Sequence, residues 1–195
     1  VEGTILMQNI SEPNLIEHKP QVKIKDSYPS DLSSTADFDG DGDKDIYVVS
    51  GGSDNNELDK SLEDRIYINN GNDDFTKKLG EMVSSNFGHA MGAASADYNR
   101  DGHIDIFVAT HTNDKNKLFC NQSHENNHFI NIKLVGTYSN KSAIGSSIKI
   151  TANGQSQYRQ VLPIQGLGSQ NSLRQHFGLG NATTVATLEI KWPSG

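Results

Sequence analysis

Short apolar runs alternate along the chain with polar stretches rich in glycine and asparagine, a pattern that predicts strands and not helices. Residues 129–135 show the period of two that is typical of a half-buried strand. The acidic segment 54–64, with Leu58 and Leu62 four residues apart, allows one short helical turn. The predicted strands are 21–25, 46–49, 65–69, 106–109, 117–121, 129–135, 144–150, 157–162 and 185–192.

Two polar stretches share one pattern and lie sixty residues apart. Asp37-Phe38-Asp39-Gly40-Asp41-Gly42-Asp43-Lys44-Asp45 and Asp97-Tyr98-Asn99-Arg100-Asp101-Gly102-His103-Ile104-Asp105 both fit Asp-x-[Asp/Asn]-x-Asp-Gly-x-x-Asp. Each follows a lead-in of small residues and precedes a predicted strand. Three or four short strands per sixty residues are typical of one blade of a β-propeller. The fold class is therefore predicted to be all-β with propeller-type blades.

Two blades cannot close a propeller, which typically has four to eight. We therefore expect the chain to be part of a longer polypeptide, and segment 1–30 is interpreted as the end of a preceding blade. The two repeats are predicted at about 31–90 and 91–125. The pattern changes after residue 125, and 126–195 is predicted to be a small antiparallel β domain.

The acidic loops require a cation. Two unit charges ~4 Å apart repel by about 4 kcal/mol at an effective dielectric constant near 20. A hard divalent ion removes this repulsion, and calcium accepts irregular loops of six to eight oxygens. One such loop could be a solvated acidic turn, but two in identical register favour metal binding.

The spacing assigns roles to the loop positions. Positions 1, 3 and 5 direct side-chain oxygens inward, position 6 is a glycine where the chain turns, and position 7 gives its backbone carbonyl. The first site has four ligand carboxylates against three in the second, so we expect it to bind calcium more tightly. The predicted ligands are Asp37, Asp39, Asp41, Asp43 (carbonyl) and Asp45 in the first loop, and Asp97, Asn99, Asp101, His103 (carbonyl) and Asp105 in the second.

An EF-hand begins in the same way but needs a bidentate glutamate at position 12 and flanking helices. Position 12 is Val48 in the first loop and Val108 in the second. The flanking residues are β-branched and aromatic, which suits strands. These loops are therefore predicted to connect strands.

Composition narrows the classes of function. The net charge is −7, hydrophobic residues make up 34% of the chain and mean hydropathy is −0.59. The sequence contains no basic patch that would indicate nucleic-acid binding. It also contains no run of 18 apolar residues that would indicate a membrane span. Calcium loops of this kind suit the extracellular space, the cell surface or a periplasm. Asn9, Asn121, Asn140 and Asn181 lie in glycosylation sequons, whose use the sequence leaves open.

Two further constellations have simple interpretations. Ser169, Ser172 and His176 lack the Gly-x-Ser-x-Gly elbow of a hydrolase, so a hydrogen-bonded structural role is favoured for His176. The glycine pairs 166/168 and 178/180 neither open a helix nor precede a phosphate-loop lysine. We expect them to allow positive φ at turns.

The repeats resemble FG-GAP/VCBS-type repeats, the calcium-loop blades also found in integrin α-chain propellers. Phe87-Gly88 resembles the Phe-Gly signature, whereas Ser50-Gly51-Gly52 and Thr110-His111 stand where Gly-Ala-Pro is usual. The C-terminal part resembles the ASPIC/UnbV domain of cartilage acidic protein-like proteins. Its marks are Ser139-Asn140-Lys141, Ile144-Gly145, Gly168-Ser169-Gln170-Asn171-Ser172, His176-Phe177-Gly178-Leu179-Gly180 and Trp192-Pro193-Ser194-Gly195.

This resemblance implies an extracellular or cell-surface protein with calcium in a structural role and no established enzymatic activity. It also implies that the ASPIC/UnbV-like domain at 126–195 continues beyond Gly195. We expect a non-enzymatic module for adhesion, whose partner is a protein or a glycan. Two alternatives stay open. One is a calcium-stabilised propeller enzyme, such as a lyase acting on polysaccharides, and the other is a purely architectural part of a larger assembly.

Overall fold

The computed structural model describes residues 3–5, 24–26, 32–50, 64–71, 74–78, 90–110, 115–122, 127–166 and 169–194. All the regular secondary structure within these ranges is β-strand, which confirms the all-β prediction. Apart from Asp64, the possible helical turn at 54–64 lies outside the described residues, as does Phe87-Gly88.

Fourteen strands are described, and all their pairings are antiparallel. They are β1 Gly3–Ile5, β2 Ile24–Asp26, β3 Leu32–Ala36, β4 Asp45–Val49, β5 Arg65–Asn69, β6 Phe75–Lys78, β7 Ala90–Ala96, β8 Asp105–Thr110, β9 Lys117–Phe119, β10 His128–Ile132, β11 Ser147–Ala152, β12 Gln155–Gln160, β13 Gln175–Gly180 and β14 Thr187–Lys191.

The two repeats form two separate meandering sheets, in the manner of propeller blades. The first blade has the order β3-β4-β5-β6 and the second has the order β7-β8-β9. Their first strands, β3 and β7, lie side by side where the blades meet. Ser34 and Ser95 share a buried hydrogen bond of 2.7 Å there. Small side chains at this seam allow the two sheets to approach closely.

The main apolar core of the repeats lies between the blades. Tyr47 and Val49 of β4 join Ile106 and Val108 of β8 in one buried cluster. The alternate β4 side chains, Ile46 and Val48, pack on the opposite face of the sheet. Strand β4 is therefore buried on both faces, as expected for an inner strand with a continuous apolar run.

The C-terminal region contains a two-stranded sheet, β10-β13, and a three-stranded sheet, β12-β11-β14. These sheets enclose a second core, which includes Ile148, Ile150, Val161 and Phe177. The antiparallel pattern predicted for this region is present, and the exact domain boundaries stay a prediction. At the other end of the chain, β2 overlaps the strand predicted at 21–25 and pairs with β1.

The prediction that Gly178 provides positive φ in a turn is wrong. Gly178 lies inside β13, and its φ is not among the positive values. Gly166 and Gly180 do adopt positive φ, at 93° and 52°, and Gly168 lies outside the described residues. Gly178 is needed because another part of the chain approaches its backbone, as the geometry of the metal loops shows.

Candidate metal centre

Each predicted metal loop connects the first two strands of its blade. Residues 37–44 join β3 to β4, and residues 97–104 join β7 to β8. Ala36 pairs with Asp45, and Ala96 pairs with Asp105. The two loops therefore have the same length and register, and both stand between strands as the sequence predicts.

Positive φ angles produce the tight turn in both loops. Gly40 and Gly42 have φ of 78° and 107°, and Gly102 has φ of 95°. These values confirm that the glycine at position 6 meets a conformational need. Arg100, at position 4 of the second loop, has φ of 65°, a conformation that costs a side-chain-bearing residue about 1–2 kcal/mol.

The closing aspartate ties each loop to the third strand of its blade. The two carboxylate oxygens of Asp45 accept the N–H groups of Phe38 at 2.6 Å and Asn69 at 2.8 Å. Asp105 accepts the equivalent N–H groups of Tyr98 and Asn121, both at 2.8 Å. The closing aspartates are thus structural acceptors as well as predicted ligands.

Sequence analysis gave no role in the loops to Asn69 and Asn121. Besides donating their N–H groups, both donate a side-chain amide to a loop carbonyl, that of Lys44 or Ile104, at 3.3 Å. Asn121 also donates to the carbonyl of Phe38 at 2.7 Å. The available signal was that the two predicted strands, 65–69 and 117–121, both end in asparagine.

The first loop brings three carboxylates together. One oxygen from each of Asp37, Asp39 and Asp45 lies within 4.8 Å of the other two, a grouping that could hold a metal ion. Asp37 also accepts the backbone N–H groups of Gly40 at 2.8 Å and Gly42 at 3.1 Å. These bonds fix its carboxylate at the centre of the turn.

Burial makes this charge cluster costly without a cation. Burial raises the pKa of Asp37 from 3.8 to about 7, although Arg159 lies nearby. Burial likewise raises the pKa of Asp45 to about 8, despite its two backbone hydrogen bonds. A carboxyl group whose pKa is raised by folding destabilises the folded state when it is ionised at neutral pH. A bound divalent ion would remove this cost, so the residues fit the metal.

The other predicted ligands of the first loop lie at its surface. Asp41 and Asp43 are exposed, and Asp41 accepts the N–H of Asp43 at 2.8 Å. Within the part of the chain that the structure describes, the three-carboxylate group does not include Asp41. The assignments of the Asp41 side chain and the Asp43 carbonyl as ligands stay predictions.

The two loops differ at position 3, where the first loop has the clustered carboxylate of Asp39 and the second has the amide of Asn99. Asn99 donates to Asp101 at 2.7 Å and accepts the N–H of Asp101 at 3.0 Å. Asp101 in turn accepts the N–H of His103 at 2.9 Å. Over the described ranges, no group of three carboxylates forms here, because the positions equivalent to the first cluster hold only two, Asp97 and Asp105.

Asp97 nevertheless shows that this loop is suited to a cation. Its Oδ2 accepts a hydrogen bond from the side chain of Asn131 at 3.0 Å. Its Oδ1 is buried, and among the described residues it has no hydrogen-bond partner. A buried carboxylate oxygen in this state is costly unless a donor or cation reaches it.

The C-terminal sheets contact both loops at the same two positions. At position 1, Asp37 accepts the N–H of Gly178 at 3.0 Å, and Asp97 accepts the Asn131 amide. At position 6, the Gly42 carbonyl accepts Arg159 at 3.2 Å and the Gly102 carbonyl accepts His176 Nε2 at 2.9 Å. The two loops are therefore held by the C-terminal region in parallel ways.

Gly178 makes the closest of these approaches. A Cβ at this residue would overlap Asp37 Oδ2 and lie 2.5 Å from the carbonyl carbon and oxygen of Gly40. The Gly40 carbonyl also accepts the N–H of Gly180 at 3.1 Å. Strand β13 thus lies directly on the first loop, and its glycines make that contact possible.

A polar cavity of about 80 Å³ lies where the two loops meet the C-terminal region. Asp37 and Asp97 both line it, as do Lys44, Arg159 and His176. The position-1 carboxylates therefore share one polar space, which is partly open to solvent.

His176 has the structural surroundings that its sequence context favours. Its Nε2 bonds the Gly102 carbonyl, and its ring stacks on Phe129 with centroids 5.7 Å apart. The hydroxyl oxygen of Ser172 accepts the N–H of Arg174 at 3.2 Å. These contacts place His176 in the junction with the second loop.

Two protein families match the chain. Residues 37–108, which contain both loops, match the FG-GAP-like repeat, and residues 136–195 match ASPIC and UnbV. The chain carries an FG-GAP-like repeat region followed by an ASPIC/UnbV domain. The architecture expected from the sequence is thus confirmed. A comparison with curated proteins found no match.

The matched families indicate the class of protein. FG-GAP-like repeats typically occur in extracellular or cell-surface proteins and often bind calcium. Together with the ASPIC/UnbV domain, they suggest a β-rich extracellular or cell-surface module. Over the described residues, no helix has the length and apolar character to cross a membrane.

Proposed function

We propose that this chain is a non-enzymatic, calcium-binding module of the extracellular space, the cell surface or a periplasm, which binds a protein or glycan partner. Calcium acts structurally at the two FG-GAP loops. The observation that carries this proposal is the convergence of Asp37, Asp39 and Asp45 within 4.8 Å. Hard oxygen ligands in an irregular loop suit calcium better than smaller or softer ions.

The second loop supports a second ion through a different observation. Asp97 Oδ1 is buried and has no hydrogen-bond partner among the described residues, so a cation there would satisfy it. The exposed Asp101 can add a further oxygen from the loop surface. In both loops the ion would neutralise the carboxylates and hold the ends of the hairpin together.

Calorimetric titration of the full chain with calcium tests this proposal. We expect two binding events, with the tighter one at the first loop. Asp39→Asn keeps the size of the side chain but removes one clustered charge, so it should weaken the tighter event. Glu189→Gln is the matched control, because it also removes one charge at constant size and the exposed Glu189 lies in β14, in a different sheet. Absence of any heat of binding would overturn the calcium proposal.

The role in partner binding needs a separate experiment. We expect the calcium-loaded chain to retain selected glycans or proteins on an array, and to lose them when calcium is removed. Incubation with acidic polysaccharides should leave them intact. Formation of unsaturated products would show a lyase and would overturn the non-enzymatic part of the proposal.

A further inference from the structure

Both calcium loops are covered by the ASPIC/UnbV domain, and the covering contacts fall on residues that belong to the loops themselves. We propose that the two calcium-loaded loops form the docking surface for this domain, so that calcium binding and domain docking stabilise each other. This inference rests on the proposed calcium binding and adds the partner of the loops, which is another part of the same chain.

At the first loop, one side chain takes part in both the proposed metal binding and the docking of the domain. Asp37 belongs to the three-carboxylate group and also accepts the N–H of Gly178 from β13. An ion bound to Asp37 would fix the carboxylate to which Gly178 donates. The adjacent Gly42 carbonyl accepts the buried Arg159, whose guanidinium lies 5.2 Å from the ring centre of Phe177. Docking therefore selects the loop conformation in which the carboxylates converge.

At the second loop, the physical reason for coupling is desolvation. Asn131 of β10 and His176 of the ASPIC/UnbV domain lie beside Asp97, and Asp97 Oδ1 is buried in the docked state. If the domain moves away, water can reach this oxygen. When the domain is docked, this oxygen is closed off from bulk water and has no hydrogen-bond partner among the described residues. A bound cation would satisfy it, so docking is more favourable with the ion than without it.

Linkage makes the effect reciprocal. If docking increases calcium affinity by some factor, calcium must strengthen docking by the same factor. Coupling between two sites commonly amounts to about 5–150-fold. The competing interpretation is passive packing, in which the domain docks equally well with and without calcium.

The first experiment follows amide exchange in the full chain, by NMR, in calcium and in chelator. The N–H groups of Gly178 and Gly180 report on docking, because they donate to Asp37 and to the Gly40 carbonyl of the first loop. We expect calcium to slow their exchange about tenfold or more. Ile148 and Ile150 are internal controls, since they lie in β11 between two strands of their own sheet.

The second experiment uses Gly178→Ala. The three atoms nearest to the added methyl group all belong to the first loop, at Asp37 and Gly40, so the substitution opposes docking. We expect calcium affinity at the first loop to fall about tenfold or more. Gly154→Ala is the control, since its methyl group would meet nothing within 4 Å although its φ of 78° strains the same domain.

Asn131→Ala provides a second variant that removes a contact instead of adding bulk. It deletes the donor to Asp97 and should weaken calcium binding at the second loop, while the exposed Asn181→Ala should not. If the unaltered chain fails to bind calcium, the proposed function is wrong. If it binds calcium but Gly178→Ala and Asn131→Ala keep full affinity and the Gly178 amide does not respond, the coupling is overturned and the calcium site stands.

Discussion

The side-chain oxygen of Asn171 accepts the backbone N–H of Ser95 at 2.9 Å, which joins a loop of the ASPIC/UnbV domain to the first strand of the second blade. The same oxygen lies 3.4 Å from the hydroxyl of Ser34 on the first blade. The Asn171 amide group donates to Gln165 at 2.8 Å, which fixes its orientation. One side chain therefore holds the seam between two blades from outside both of them.

Asn171→Ala should destabilise this seam. Ser95 is buried, with 4% of its surface exposed, so its backbone N–H would lose its partner without full access to water. We expect the free energy of unfolding to fall by about 1–3 kcal/mol, the cost of leaving a buried donor unsatisfied. Urea unfolding of the full chain measures it. The exposed neighbour Gln170→Ala is the control, and an equal loss in both variants would contradict the role assigned to Asn171.

Asp105→Asn should destabilise the chain even in chelator. Asp105 accepts two backbone N–H groups, and an asparagine can accept only one because its amide group is a donor. We expect a loss of about 1–3 kcal/mol, measured by denaturant unfolding with the chelator present. Asp41→Asn should have little effect under these conditions, since the exposed Asp41 accepts one N–H that asparagine can also accept. Equal stability of the two variants would refute the structural role of the closing aspartate.

Removing calcium should lower the melting temperature of the unaltered chain. A ligand that binds only the folded state at a concentration one hundred times its dissociation constant stabilises it by about 2.7 kcal/mol. For a chain of this size that corresponds to a shift of about 5–10 °C. Scanning calorimetry in calcium and in chelator measures the shift, with magnesium as the comparison ion. An identical melting temperature in calcium, in magnesium and in chelator would count against a structural ion.

Asn99→Asp should make the second loop resemble the first. It restores a carboxylate at position 3, so calcium affinity at the second loop should rise on the order of tenfold, because ligand charge tunes such sites. In chelator the same change should lower stability, since Asn99 now donates to Asp101 and an aspartate there would repel it. Calorimetric titration measures the predicted rise in calcium affinity, and thermal unfolding in chelator measures the predicted loss of stability. Unchanged affinity would contradict the predicted ranking of the two sites.

The sequence identifies the parts of this fold whose signal is local. Residues 46–49 and 106–108 are β-branched and aromatic, so their strands are recognised directly. The sequence predicts only small-residue lead-ins where strands β3 and β7 lie, because serine, alanine and glycine carry little strand preference of their own. They become strands because β4 and β8 pair with them and because small side chains fit the seam between blades.

The candidate site was predictable to the same extent. Loop spacing alone places the closing aspartates and the turn glycines. The contact between Asp37 and Gly178 spans 141 positions in the chain, and no local pattern indicates which glycine of a motif faces a distant loop. The placement of Gly178 in a turn failed for this reason, since close approach of another segment, and not backbone rotation, excludes a side chain there.

The C-terminal region contacts positions 1 and 6 of both loops in the same way. These contacts limit how freely the blades and the C-terminal region can be recombined. Three of the four contacting residues, Asn131, His176 and Gly178, lie on the paired strands β10 and β13, so one sheet sets the spacing of these contacts to the two blades. A chimaera that places this ASPIC/UnbV domain after foreign repeats would need both hairpins in the same relative position. The two blades and the ASPIC/UnbV domain should therefore be transplanted, truncated or engineered as one unit.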